Sequence, residues 1–227
     1  MNKFWNWAKN DAGEGVLELN GPIAEESWWG DEVTPEAFRR ELTEQSGPIN
    51  IWINSPGGDC VAAAQIYNMI KAYKGEVTVQ IDGIAASAAS VIAMAGDKVR
   101  MSPVSTMFIH DPLTMAMGNA QEMEKAIRML NGFKESIVNA YEAKTGLART
   151  KIADMMTAET LMDATQAKEL GFCDEIAVGG WTPANKKSAA FAMRNSMGAI
   201  LNKMREEGAK TPEGVKAKDL MDRLMRI

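Results

Sequence analysis

The chain has 227 residues, 46% of them hydrophobic and 24% charged, which is enough apolar material for one sizeable globular core. Its net charge of −5 gives no electrostatic basis for binding nucleic acid or an anionic membrane surface. The longest nearly apolar run, residues 84–96, is shorter than the about 20 residues that span a bilayer, and no secretory signal is visible. We therefore expect a cytoplasmic protein with two free thiols, Cys60 and Cys173.

The first part of the chain alternates strand and helix patterns. Residues 16–19 alternate apolar and polar side chains as a strand does, and Thr34 and Pro35 are typical of a helix start. The INIWIN stretch at residues 49–54 predicts a second strand, which the SPGG turn ends. Asp59 is expected to cap the helix that follows, and residues 76–81 predict a third strand.

Residues 81–96, IDGIAASAASVIAMAG, place Ser87 among small residues just after this third strand. Small residues around a hydroxyl group are typical of a sharp strand-to-helix turn, in which the backbone approaches another group closely. From Ser87 to Gly96 we expect a helix that is buried on nearly every side. Two short strands are predicted at residues 98–101 and 106–110.

The second part of the chain is mainly helical in pattern. Residues 119–144 predict one long helix, which ends at Gly146, and residues 147–156 predict a shorter one. A small helix that closes at Gly171 and a last strand follow. Strands and helices at such short intervals indicate an α/β fold with parallel strands.

The composition shifts toward Lys, Ala, Met and Arg after Gly179 and Gly180, where strand patterns stop. We therefore divide the chain into an N-terminal segment of residues 1–15, one domain of residues 16–178, and an appendage of residues 179–227. Two helical patterns in the appendage predict that it is helical or partly disordered.

Ser87 and His110, the single histidine of the chain, together indicate a serine hydrolase, because a serine hydroxyl needs a base to become a nucleophile. Taken singly, each has a simpler interpretation: Ser87 as a helix cap, and His110 as a core or surface residue. Ser90 is a rival hydroxyl, but it lies inside the predicted helix. The N–H groups of Ala88 and of the Gly57-Gly58 pair are candidate oxyanion donors.

A carboxylate is expected to orient the imidazole. Asp111 is adjacent to His110, but neighbouring side chains on a strand point to opposite faces. The residue pattern leaves the choice open among Asp97, Asp154, Glu159, Asp163 and Asp174. The sequence contains no glycine-rich phosphate-binding loop followed by Lys and Ser or Thr, so no nucleotide cofactor is predicted. One histidine and scattered cysteines argue against a transition-metal site, so no metal and no other cofactor is predicted.

The motifs INSPGGD, DGIAASAAS, MFIHDP and TAETLMDATQAKELGFCDEI follow one another in an order and spacing that resemble the proteolytic subunit of Clp protease. The resemblance extends from about residue 16 to residue 176. It implies a crotonase-like (ClpP-like) fold of stacked ββα units. It also implies that the helix at residues 119–144 is a handle through which heptameric rings pair face to face into a tetradecamer.

The same resemblance implies roles for individual residues. Ser87 is the nucleophile and His110 the base, with Gly58 and Ala88 forming the oxyanion hole. Glu159 stands where the family usually has aspartate, and we expect it to orient His110, with Asp163 and Asp154 as weaker alternatives. A further implication is that the segment after His110, including residues Pro112, Leu113 and Thr114, binds the substrate backbone as an added strand.

Both ends of the chain depart from the family pattern. The N-terminal segment does not resemble the axial loop that helps to engage an AAA+ unfoldase ring. The stretch ESWWGDEVTPEAFRREL and the C-terminal appendage resemble ClpP-like proteases of phages and prophages, which process capsid precursors. The predicted function is therefore a serine endopeptidase acting on polypeptides in a bacterial or phage-infected cytoplasm, with phage capsid or portal proteins as partners.

Four alternatives remain at this point. The first is general proteolysis as the peptidase of a Clp-type ATPase complex. An acyl-CoA enzyme of the crotonase class leaves Ser87 and His110 unexplained, and the MFIHDP segment argues against a signal-peptide-peptidase-like protease with a lysine base. The last alternative is a ring-forming scaffold with a decayed site, for which Glu159 is the best support.

Overall fold

The computed structural model describes residues 4–10, 13–23 and 35–177. Within these residues the strands are β1 (Trp5–Lys9), β2 (Gly15–Asn20), β3 (Ile49–Ser55), β4 (Val77–Ala86), β5 (Lys98–Met101), β6 (Thr106–Ile109), β7 (Thr160–Asp163) and β8 (Glu175–Ile176). The helices are α1 (Pro35–Thr43), α2 (Cys60–Lys71), α3 (Ala88–Ala93), α4 (Ala120–Thr145), α5 (Arg149–Thr157) and α6 (Ala164–Glu169).

The strands form one sheet whose main path runs β1-β2-β3-β4-β5-β8. All neighbours from β2 to β8 on this path are parallel, and β1 is antiparallel to β2 at the edge. These pairings confirm the predicted α/β class with parallel strands. Parallel neighbours require a crossover connection, and α2 supplies the one between β3 and β4.

Strand β4 has 10 residues and pairs with β3 on one side and with two strands in succession on the other. Its first part lies beside β5, with Val79 opposite Val99, and its last part lies beside β6, with Ala86 opposite Phe108. Strand β7 is antiparallel to β6. The register between β3 and β4 shifts between Ile53 and Ser55, and beyond the shift Ala85 of β4 lies between Ser55 of β3 and Met107 of β6.

The core follows from the alternation in the strands. Ile49, Ile51 and Ile53 are buried, and the residues between them are half-buried. All six residues of α3 are buried, as predicted from its small and apolar composition. Asp59 accepts a hydrogen bond from the N–H of Ala62 at 2.7 Å, so the predicted cap of α2 is confirmed.

Two strands were not predicted from the sequence. Strand β1 lies within the segment that we separated as residues 1–15, and Trp5 there is only 3% exposed. Its ring packs edge-to-face on Phe38 of α1, with ring centroids 5.5 Å apart. Strand β7 exists because it pairs with β6. The packing of β1 on α1 and the pairing of β7 with β6 join residues that are distant in the sequence, which no local pattern reveals.

The third predicted strand was too short, because β4 continues from residue 81 to Ala86, where it pairs with β6. The remaining predicted elements agree with the structure to within a few residues at each boundary, and Gly146 ends α4 in the left-handed conformation. Cys60 and Cys173 are free thiols, as predicted. No helix among residues 4–10, 13–23 and 35–177 is long and apolar enough to cross a membrane. Thr34 and the predicted appendage at residues 179–227 lie outside the described residues.

The packing of Phe38 yields a stability prediction. Its side chain is fully buried, so Phe38→Ala leaves a cavity beneath β1, and we expect the free energy of unfolding to fall by about 3–5 kcal/mol. Urea unfolding followed by circular dichroism measures the change. Val104→Ala is the matched control, because Val104 is 89% exposed and its loss should shift the midpoint little. Equal midpoints for the two variants would contradict the assigned core.

Candidate active site

Ser87 occupies the turn between β4 and α3, and His110 follows β6 directly. Because β6 pairs with the end of β4, the two residues become neighbours, and the N–H of Ser87 donates to the carbonyl of Phe108 at 2.9 Å. The Nε2 atom of His110 lies 2.7 Å from the Oγ of Ser87. This is hydrogen-bond distance between a hydroxyl group and the base that would accept its proton.

The backbone of Ser87 is strained, with φ 54° and ψ −126°. Ser87 and Glu159 are the two non-glycine residues of positive φ in the described part of the chain. Such conformations cost about 1–3 kcal/mol each and cluster at functional sites, where the surrounding structure holds them. The strain therefore falls on two of the residues that the sequence singled out.

The SPGG turn lies directly against Ser87. A Cβ placed on Gly57 would stand 2.7 Å from the Cβ of Ser87 and 2.9 Å from the nitrogen of Ala88. One placed on Gly58 would overlap the carbonyl of Ile23. Only glycine therefore fits at both positions. The close approach predicted for the strand-to-helix turn at Ser87 is confirmed, and the SPGG turn is the group that it approaches.

The hydrogen bonds of the turn leave two N–H groups available beside Ser87. The N–H of Gly57 donates to the Oγ of Ser55 at 3.1 Å, and the N–H of Asp59 donates to the carbonyl of Ile23 at 2.9 Å. Among the described residues the N–H of Gly58 has no acceptor. The N–H of Ala88 belongs to the first turn of α3, where a helix offers no partner.

Glu159 and His110 lie just beyond the last pair of the β6–β7 ladder. The antiparallel register ends with Ile109 opposite Thr160, so His110 and Glu159 are the next residues on the two sides. The Glu159 side chain is exposed, and within the described residues no hydrogen bond joins it to His110. Its contribution to the imidazole is electrostatic, since its negative charge favours the protonated form.

Burial is the largest influence on the pKa of His110 and lowers it below the usual range. The negative charges of Glu159 and Asp111 act in the opposite direction and raise it by less. The imidazole is therefore neutral at pH 7, which is the state that a general base requires. Its ring also stacks on Phe108, with ring centroids 5.3 Å apart.

The other candidate acids have structural partners or lie elsewhere. Asp97 accepts from the N–H of Val77, and Asp174 accepts from the N–H of Val99. Asp163 caps α6, and Asp154 is an exposed residue of α5. Of the carboxylates weighed from the sequence, Glu159 and Asp111 are the ones that act electrostatically on His110.

Asp111 belongs to a three-residue cluster that was not predicted from the sequence. The Nζ of Lys134 in α4 donates to the Oδ2 of Asp111 at 3.0 Å and to the Oγ1 of Thr157 at 2.9 Å. The Thr157 hydroxyl also donates to Asp111. The cluster links Asp111, which follows His110, to Thr157 at the end of α5. Thr157 precedes Glu159 by two residues, so the cluster connects the segment that carries His110 with the segment that carries Glu159.

Pro112, Leu113 and Thr114 continue from His110 without regular secondary structure. Leu113 is 77% exposed, so its large apolar side chain is free of intramolecular packing in the described residues. The segment thus extends from the candidate base along the surface of the protein.

The model of the Clp protease family matches residues 15–179, which is more than half of the chain. The chain belongs to the Clp protease family. The family-level resemblance noted from the sequence is therefore confirmed, and membership supports serine peptidase activity.

Several curated relatives carry the same family name. The ATP-dependent Clp protease proteolytic subunit 2 of Treponema denticola is 32% identical over 179 residues, which is 78% of this chain and 85% of that protein. The proteolytic subunit of Bacteroides fragilis is 33% identical over 132 residues, 57% of this chain and 64% of that protein. That of Chlorella vulgaris is 31% identical over 137 residues, 60% of this chain and 68% of that protein. None of these names refers to phage head maturation.

The contact of Gly57 with Ser87 yields a second prediction. Gly57→Ala puts a methyl group into the carbonyl of Ala86 and against Ser87, so we expect the rate of Ser87 modification by a fluorophosphonate to fall at least about 100-fold. Intact mass spectrometry against time measures the rate. Gly47→Ala is the matched control, because Gly47 has a similar φ of 77° but nothing within 4 Å of its missing Cβ. Equal losses in both variants would attribute the effect to backbone strain alone.

A third prediction concerns pH. Because the charge of Glu159 raises the pKa of His110, Glu159→Gln lowers that pKa further. The acid limb of the pH profile, where the modification rate falls as His110 becomes protonated, therefore moves to lower pH. The plateau rate should also fall at least about 10-fold, since the imidazolium loses its counter-charge. Rates measured from pH 4 to pH 8 test both effects. Asp163→Asn, which removes a charge used as a helix cap, should leave the limb in place. A limb that moves upward in Glu159→Gln would contradict the electrostatic role.

Proposed function

We propose that the chain is a serine endopeptidase in which Ser87 is the nucleophile, His110 the general base and Glu159 the acid that orients and stabilises the imidazolium. The observation that carries the proposal is the 2.7 Å contact between the Oγ of Ser87 and the Nε2 of His110. The N–H groups of Gly58 and Ala88 are proposed as the oxyanion hole, because both stand beside Ser87 without a described acceptor.

The chemistry follows from this arrangement. The Oγ of Ser87 attacks the scissile carbonyl carbon while its proton passes to the Nε2 of His110. The carbonyl oxygen takes the negative charge and is held by the two N–H groups. His110 then gives the proton to the departing amine, which leaves an acyl ester on Ser87. Water, deprotonated by His110, hydrolyses the ester and restores the serine.

A cavity next to Ala88 supports a preference for substrates with an apolar residue on the acyl side of the cleaved bond. The cavity has a volume of about 340 Å³ and lies between α2, α3 and α4. Its lining includes Cys60, Tyr67, Phe133 and Ile137, which present mainly apolar surface. The exposed segment of Pro112, Leu113 and Thr114 is proposed to pair with the substrate backbone as an added strand.

The distribution of exposed apolar side chains supports self-assembly. Leu113, Met115, Met117, Ile127 and Met129 are between 47% and 98% exposed and lie between the end of β6 and the first half of α4. Large apolar residues concentrated in this way mark protein contact surfaces. We propose that they take part in heptameric rings that stack through α4 as a tetradecamer.

General proteolysis with a Clp-type ATPase is the biological role that the relatives favour, since their names describe ATP-dependent Clp protease subunits. Processing of phage capsid proteins is the second candidate, and it depends on the resemblance of residues 26–42 and the C-terminal segment to phage proteases. A decayed scaffold is disfavoured, because it gives no reason for a strained serine to lie within hydrogen-bond distance of the single histidine.

Intact mass after treatment with a fluorophosphonate tests the proposed chemistry. We expect one adduct on the wild-type protein and none on Ser87→Ala or His110→Ala, since both the nucleophile and its base are needed. Ser105→Ala is the control, because it removes a buried hydroxyl elsewhere and should label normally. An unlabelled wild-type protein, tested in its assembled form, would overturn the proposal.

A second measurement separates the two biological roles. ATP-dependent degradation of an unfolded protein in the presence of a Clp-type ATPase supports general proteolysis. Cleavage of a phage capsid precursor without any ATPase supports head processing, and the Ser87→Ala protein should fail in both assays.

A further inference from the structure

A buried chain of hydroxyl groups ends on the backbone carbonyl of Ser87. The Oγ of Ser90 donates to this carbonyl at 2.6 Å, and the hydroxyl of Tyr141 lies 2.7 Å from the Oγ of Ser90. Ser90 has no solvent exposure, and Tyr141 is 1% exposed. Ser90 belongs to α3 and Tyr141 to α4, so the chain connects the long helix to the turn that carries the candidate nucleophile.

The direction of these hydrogen bonds is fixed. Ser90 has one hydroxyl proton, and it is used on the carbonyl of Ser87. The hydroxyl of Tyr141 must therefore donate to the Oγ of Ser90. Burial raises the pKa of Tyr141 well above its usual value, so the phenol is protonated at neutral pH and can donate.

The carbonyl of Ser87 is held more firmly than an ordinary turn carbonyl. Besides the Ser90 hydroxyl it accepts the N–H of Ser90 at 2.9 Å and the N–H of Val91 at 3.4 Å. At the other end of the residue, the N–H of Ser87 donates to Phe108 in β6. The strained residue is thus fixed from one side by the strand that leads to His110 and from the other side by α3 and Tyr141.

We propose that Tyr141 and Ser90 are positioning residues that hold the backbone of Ser87 at the orientation in which its Oγ meets His110. Neither residue contacts the reacting atoms, and both act through the carbonyl of Ser87. The proposal depends on the proposed function, in which Ser87 is the nucleophile. It also gives Ser90 a role other than that of the rival nucleophile considered from the sequence.

A purely structural role is the alternative that an experiment must exclude. A buried hydroxyl pair contributes to stability whether or not the site is used, so a lower melting temperature alone distinguishes nothing. A positioning role predicts a slower acylation step with unchanged binding of a peptide substrate, because a small displacement of Ser87 lengthens its contact with His110. The discriminating readouts are therefore the fluorophosphonate modification rate and the separate effects on kcat and KM.

Tyr141→Phe is the sharpest variant, because it removes the hydroxyl and keeps the ring that packs on Phe172. We expect a modification rate and a kcat about 10-fold lower, with KM unchanged. Ser90→Ala should show a similar loss. The double variant should lose little more than the worse single variant, because the two hydroxyl groups act as one chain.

Ser105→Ala is the matched control for stability. Ser105 is 1% exposed and donates to the carbonyl of Ser102 at 2.9 Å, the same local geometry as Ser90 with Ser87, but in the turn before β6. We expect it to lower the melting temperature by an amount similar to Ser90→Ala and to leave the modification rate at the wild-type value. All variants are measured as the assembled full-length chain.

Each outcome decides the matter. The inference is overturned if Tyr141→Phe is modified at the wild-type rate. It is also overturned if Ser105→Ala loses as much rate as the test variants, or if the fold-losses of Tyr141→Phe and Ser90→Ala multiply in the double variant. If the wild-type protein itself is not modified, the proposed function fails and the inference fails with it. A modified wild-type protein with unaffected variants leaves the proposed function intact and removes only the role of Tyr141 and Ser90.

Discussion

The pairing of β6 with the last residues of β4 is the interaction on which the site depends. Ser87 and His110 are separated by a helix and two short strands along the chain, and this ladder makes them neighbours. The hydrogen bond from the N–H of Ser87 to Phe108 extends the ladder by one further step, into the turn itself. The position of the nucleophile is therefore set by sheet register, and a slip of one residue would turn its side chain away from the imidazole.

The strain at Ser87 is maintained by buried surroundings. Helix α3 is buried along its whole length, the glycine turn lies in contact on one side, and Tyr141 reaches the same carbonyl from α4. A conformation that costs free energy persists only where its surroundings leave no alternative. Glu159, the other residue of positive φ, is exposed, and its N–H donates to the carbonyl of Met156 at 3.0 Å at the end of α5.

Local patterns were sufficient for much of this architecture. The alternation of INIWIN, the cap at Asp59 and the glycine that ends α4 each express a short-range rule, and each was predicted. The packing of Trp5 on Phe38, the strand β7 and the hydroxyl chain through Tyr141 join residues far apart in sequence, and no short window of the sequence contains the information. Glu159 is an intermediate case. Spacing alone left several acids open, and resemblance to the family favoured Glu159. The β6–β7 ladder brings it close to His110, because each of the two residues adjoins the last pair of that ladder.

His110 is the only imidazole in the 227 residues of the chain. In a carbon-13 or nitrogen-15 spectrum of histidine-labelled protein, every imidazole resonance would come from the candidate site itself. The tautomer, the protonation state and any exchange between assembled and free forms become observable at the reacting group without a mutation or an assignment experiment. The sequence thus supplies a built-in spectroscopic reporter at the place where the chemistry is proposed to occur.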